Sequence, residues 1–238
     1  MYFSAEAVVL VPVLAVIGLA VRPRGARLLG LAAALALIFA AFATKLQPFA
    51  LHTFLWAHLL QNVVLAEWAP ALLVLAIPPR TAARVHGFPL FRPLVALPLW
   101  IATYFLWHIP WAYDGALRHP QSLLHVEHVS YLLAGICVWW PVIHGRYSAG
   151  AKAAYLFAAF VLASPLGLVL ALIPRPVYSV YAHAPRTWGP SPLGDQELAG
   201  VTMAVEQAIA LFCVFVVYLR RFLHEEQLEG VFDELSRT

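Results

Sequence analysis

The chain has 238 residues, 62% of them hydrophobic and only 11% charged, with a formal net charge of +3. Its mean hydropathy of +0.78 excludes an ordinary water-soluble domain and makes the bilayer its solvent. The positive balance does not point to nucleic acid, because the arginines stand in short clusters between apolar runs instead of along one face.

Runs long enough to cross a hydrocarbon core, about 17 to 25 residues each, predict seven transmembrane helices at roughly 4–21, 28–44, 52–77, 94–108, 122–143, 153–173 and 197–219. The first run lacks the basic start and small-residue cleavage site of a signal peptide. Its first positive charges, Arg22, Arg24 and Arg27, follow it, so it reads as a retained span. The connections are short and carry breakers such as Pro78-Pro79 and Gly87-Phe88-Pro89. The longest, Pro174 to Gly194, is rich in proline. The expected fold is therefore an all-α, polytopic integral membrane bundle over residues 1–222, with a short charged tail over 223–238. Cys137 and Cys213 lie inside apolar runs and read as buried thiols, with no disulfide framework or zinc pattern.

Lysine and arginine counts set the orientation, because cytoplasmic loops retain positive charge. With the N-terminus outside, the inner side holds Arg22, Arg24, Arg27, Arg80, Arg84, Arg92, Arg146, Lys152, Arg220, Arg221 and Arg237. The outer side holds Lys45, Arg118, Arg175 and Arg186. Eleven against four predicts N-out and C-in.

That orientation gathers histidines at the outer face. His52 and His58 open the third run, His108 closes the fourth, and His125 and His128 open the fifth, while His119 and His183 lie in outer loops. His86, His144 and His224 fall inside. His125 and His128 are three apart, so both rings share one helical face and can meet one ion. His58 and Gln61 have the same spacing, with Asn62 beside them, and His108 approaches from the next helix end. Imidazole suits copper, zinc and iron, and Glu127, Asp114 or Gln61 are available to orient the rings. The plainer alternative is that these histidines are headgroup-zone residues with one wet end.

Two acids fall within the runs. Glu67 sits in the third and Glu206 in the seventh, where an ionised carboxylate costs about 2.5 to 3.5 kcal/mol. Glu67 lies about half a turn from His58 on an ideal helix, with Pro70 able to distort that register. The seventh run carries Asp195, Thr202, Met203, Glu206 and Cys213 near one stripe. This is either a route for protons or soft metal ions, or a set of protonated carboxyls bonded between helices, with Gln207 or Tyr104 as partners for Glu67.

Four ordered blocks resemble the polytopic CtaG-type cytochrome c oxidase assembly factors, from about His52 to Tyr218. They are His58-Leu-Leu-Gln61 with Ala69-Pro70, Trp107-His108-Ile-Pro110 with Tyr113-Asp114, His125-Val-Glu127-His128 leading to Trp139-Trp140-Pro141, and Asp195-Gln196 with Gly200. Asn62 stands where the family often has a second histidine, and Glu67 and Glu206 occupy positions expected to be apolar or aromatic. The resemblance implies a multi-pass protein of the bacterial plasma membrane that helps build cytochrome c oxidase by handling copper on the outer side. Its implied partners are an oxidase subunit or another copper chaperone.

The leading expectation is a non-enzymatic metallochaperone with a copper site of His58, His108, His125 and His128, and His52 as access or alternate ligand. Zinc is the alternative ion. The competing classes are a haem-binding electron-transfer protein with two axial histidines and a proton or metal-ion transporter using Glu67 and Glu206. No G-x-S-x-G or H-E-x-x-H motif favours a hydrolase.

Overall fold

The computed structural model describes residues 4–85 and 87–237, with side chains as far as Leu228. His86 and the Arg237 side chain, both assigned to the inner side by sequence, lie outside the described residues. Every regular element among the described residues is helical. In chain order they are α1 (Glu6–Ala20), α2 (Ala26–Phe42), α3 (Leu46–His52), α4 (Leu55–Ala76), α5 (Pro79–Arg84), α6 (Pro93–His108), α7 (Pro110–Arg118), α8 (Leu123–Ile143), α9 (Ala149–Leu172) and α10 (Ser179–Ala182). The last, α11, runs through Pro192–Gln207, Ala208–Phe212 and Cys213–Arg237 without a break, so the backbone crosses the expected tail boundary at 222 as helix.

Four helices, α4, α8, α9 and α11, are long and apolar enough to cross a membrane, or up to six spans if the bent pairs α2 with α3 and α6 with α7 each count as one. The protein is thus a multi-pass membrane protein by its helices. Residues 110–118, expected as loop, are helical, and His52 ends α3 instead of opening the third long helix. Pro110 explains the 73° bend between α6 and α7: the residue before proline is driven out of the α region, and Ile109 has ψ 127°. The 53° bend between α2 and α3 has a different cause. The Thr44 hydroxyl donates to the Ala40 carbonyl at 2.8 Å and accepts from the Leu46 amide at 3.3 Å, so a side chain replaces the helix ladder.

The centre is the crossing of α4 and α8, whose apolar stretches are 72% and 67% buried, against 33% and 28% for α9 and α11. Pro70 brings no N–H for the Ala66 carbonyl four residues back. The Trp100 indole of α6 supplies the donor at 3.3 Å, and Val64–Trp68 widens to a π-helical turn just before it. On α8, Gly135 allows the contact, because a Cβ there would fall 2.4 Å from the Ala66 oxygen. Gly200 does the same between α11 and α9, where a Cβ would lie 2.5 Å from the Gly167 oxygen. Small residues at such crossings let helices in lipid gain packing in place of a hydrophobic drive. Serine caps start the two outer helices: Ser148 accepts from Ala151 N, and Ser191 from Gly194 N. Cys137 is buried as expected, whereas Cys213 is exposed on the outward side of α11, and neither is in a disulfide.

Candidate metal centre

His125 and His128 stand one turn apart at the start of α8, and α1 brings a third group to them. Glu6, in the first turn of α1, accepts from Nδ1 of both rings through one carboxylate oxygen, at 2.7 Å each. Ligand atoms from the three residues lie within 4.8 Å of one another, which makes this a group able to hold a metal ion. Ordinary metal–nitrogen bonds would set ligand atoms about 3.3 Å apart, so an ion replacing the shared protons needs only a small spreading of the side chains.

The centre is graded in exposure. The His125 side chain is 34% exposed, while His128 and Glu6 are 2% and 5% exposed. His125 and Glu6 line a cavity of about 340 Å³ shared with Ser4, Gln47, His52 and Gln121. His52 is exposed at this cavity, and His128 lies buried outside its lining with its ring edge against Phe42, 5.0 Å between centroids.

A second polar chamber adjoins it. His58 lies 6.1 Å from His128 by ring centroids, and its Nε2 meets Glu127 Oε1 at 3.3 Å. The Asn62 amide donates to the same Glu127 oxygen at 2.9 Å. His108 is buried in α6, where Nδ1–H donates to the Tyr104 carbonyl at 2.7 Å, and the Tyr131 hydroxyl lies 3.4 Å from it. His58 Nδ1, Asn62 Oδ1, His108 Nε2, Glu127 Oε2 and His128 Nε2 are all buried without hydrogen-bond partners. Buried polar atoms are ordinarily satisfied, so these five open positions fit a bound polar group or ion. Nδ1 of His108 faces a carbonyl and so carries the proton of the neutral ring, leaving Nε2 with a free lone pair, and His128 Nε2 is likewise without a partner. The structure thus splits the sequence-proposed ligands: His125 and His128 meet Glu6, His58 joins Glu127 and Asn62, and His108 stands further along the chamber.

The other acids at this end do different work. Asp195 accepts from the Leu55 and Trp56 amides at 2.8 and 3.2 Å and from Arg186 at 2.9 Å, so it caps α4. Asp114 accepts from the Ser179 and Val180 amides at 3.0 and 3.1 Å and caps α10. Neither orients a histidine. Gln61 donates to the Ala41 carbonyl and to Gln47, tying α4 to α2 and α3. Met203 is 1% exposed and packs where α11 meets Gly167 of α9. Gln207 donates to the Tyr104 hydroxyl at 2.7 Å, whereas Glu67 faces Glu206.

The chain matches the cytochrome c oxidase caa3 assembly factors (Caa3_CtaG) over residues 13–225. It belongs to that family. The match is wider than the four sequence blocks implied and covers every histidine of the two chambers, but it begins after Glu6. No curated protein and no solved structure matches this Caa3_CtaG chain. Glu6 is also the residue that sequence reasoning missed. Its one signal was an acid in the first turn of an otherwise apolar helix, 119 positions from His125.

Proposed function

We propose that this Caa3_CtaG protein binds copper at Glu6, His125 and His128 and supplies it, as a non-enzymatic factor, for assembly of a cytochrome c oxidase in the bacterial plasma membrane. The observation that carries this is the meeting of three ligating side chains from α1 and α8, two of which, Glu6 and His125, line a cavity. Two imidazoles and a carboxylate suit Cu(II) or Zn(II) better than Cu(I), which prefers sulfur. An assembly factor for an oxidase selects copper between the two. His52 offers a first contact at the mouth. The free Nε2 positions of His128 and His108, with His58 and Glu127, extend the same site inward. The arrangement also supports seven crossings, with α1 as a short first span and each bent pair as one. The excess of positive charge on the opposite side supports placing the histidines outside.

Metal analysis of the purified protein tests the reading. The parent should carry about one copper per chain, and His125→Ala with His128→Ala should remove it. Glu6→Gln keeps the shape but withdraws the charge and should weaken copper affinity about 10- to 100-fold. Affinity should also fall as pH falls, because protons compete for the imidazoles. Unchanged copper content in the double variant refutes the site. Failure of that variant to restore oxidase activity in cells lacking this protein, at parental protein levels, ties the site to assembly.

A further inference from the structure

At the end of α4 and α8 away from the histidines lies a cleft of about 660 Å³ that the metal reading does not use. It opens where α11 parts from α4. The first half of α11 packs on both α9 and α4, and beyond the π-helical stretch Ala208–Phe212 it stays with α9. The rim holds Leu75, Ile209 and Val217, which are 47%, 59% and 49% exposed, so the mouth faces sideways into the surroundings of a hydrophobic bundle. A ligand reaching it would come from the lipid phase.

The walls are mostly apolar: Tyr218, whose hydroxyl donates to the Val142 carbonyl, and the exposed Arg221 stacked over its ring stand toward the end of α11, and two buried groups stand deeper. Glu67 is 1% exposed and lines the cleft, and none of the carboxyl oxygens of Glu67 or Glu206 has a hydrogen bond of ordinary length. The two carboxyls face one another, and that of Glu206 also faces the Trp68 side chain. Two facing carboxyls in an apolar surround hold at least one proton between them, so the pair both donates and accepts. Trp139, 4% exposed, also lines the cleft, and its indole Nε1 has no partner. Its N–H can only donate, which disfavours a cation and calls for a ligand oxygen. An acyl chain would leave both the indole and the carboxyl unsatisfied. The volume suits a molecule of drug size, and two of the three described π-helical turns, a feature common at functional sites, border it through Glu67, Trp68 and Ile209.

We propose that this cleft binds an isoprenoid quinone or quinol, with one ring oxygen accepting from Trp139 Nε1, another oxygen meeting Glu67, and the tail leaving past Leu75 and Val217.

The test uses the full chain in phosphatidylcholine nanodiscs, titrated with decylubiquinone and read by quenching of tryptophan fluorescence. Saturable quenching above that of simple partitioning is expected. Trp139→Phe and Glu67→Leu should each weaken it about tenfold, as the loss of one buried hydrogen bond does. Glu67→Leu removes a carboxyl from an apolar site, so its melting temperature should hold or rise while binding falls, a split that a purely structural role for Glu67 would not give. If a carboxyl variant fails to fold, the conservative Trp139→Phe decides alone. Quenching that never saturates, or that is identical in parent and variants, overturns the proposal, as does competition by phosphatidylglycerol as strong as by the quinone. The experiment needs no metal, so its outcome is independent of the copper site.

Discussion

The two ends of the α4–α8 pair treat buried acids in opposite ways. At the histidine end, Asp195, Asp114, Glu127 and Glu6 each accept hydrogen bonds from backbone amides, an asparagine, an arginine or imidazoles. At the other end, Glu67 and Glu206 face each other beside an apolar cleft, and their oxygens have no ordinary partner. In an apolar solvent a carboxylate that accepts from donors around it is held in place and serves the fold or an ion. A carboxyl pair whose oxygens make no ordinary hydrogen bond persists only where a proton, or a ligand from the membrane, completes it.

The largest expected effect separates these two kinds of acid. Asp195→Ala leaves Arg186, whose side chain is 10% exposed, without its carboxylate, and it uncaps α4. Removing one partner of a buried ion pair costs about 3 to 5 kcal/mol, so thermal unfolding should fall sharply. Glu206→Leu, made at the opposite end, should leave the melting temperature unchanged or higher. If both substitutions destabilise alike, the contrast between the two ends fails.

A smaller effect is expected at the seam between them. Gly135→Ala would place a Cβ 2.4 Å from the Ala66 oxygen and 2.6 Å from Pro70 Cγ, forcing α8 away from α4. Overpacking of this sort costs about 1 to 3 kcal/mol. Because Gly135 lies between the histidines and the cleft along α8, the variant should retain copper stoichiometry while it lowers stability. Loss of copper at parental stability would mean that the seam, not the local ligands, sets the metal site.

Much of this was legible in the sequence, and what was not has physical causes. Apolar runs place the long helices, but the short helix beyond the bend at Pro110 has no such run to mark it, and the bend at Thr44 depends on a hydroxyl competing with backbone, which hydropathy does not register. The i, i+3 spacing revealed that His125 and His128 share a face. Glu6 was invisible because its partners come from another helix far along the chain. By sequence Asp195 reads as a member of a polar path and Asp114 as an acceptor able to orient a histidine. Which helix end a carboxylate caps depends on the three-dimensional neighbour, and α4 begins at Leu55, far in sequence from Asp195. The cost of Glu67 and Glu206 in lipid was plain from their positions. That they face each other follows from how α11 crosses α4, which no local pattern encodes.

The smallest effect concerns how the cleft end is fastened. His144, in the turn after α8, donates from Nε2 to the Val74 carbonyl of α4 at 2.9 Å. Partial burial, with Arg27 and Lys152 nearby, holds its protonation below the ordinary histidine range. The sign follows from that direction. The ring is neutral in the folded protein at neutral pH, and the unfolded chain takes up a proton first as pH falls through about 6.5, the usual histidine value. Stability contributed by neutral His144 is therefore present above that pH and is lost as pH falls through it. His144→Gln keeps an amide donor for Val74 and cannot titrate. Melting curves of parent and variant from pH 8 to pH 5.5 should run parallel at the upper end and separate at the lower, the parent losing more, by well under the Gly135 effect. The histidines of the metal end are common to both proteins and cancel in the difference. A constant offset across the range would show that His144 holds the turn by shape alone.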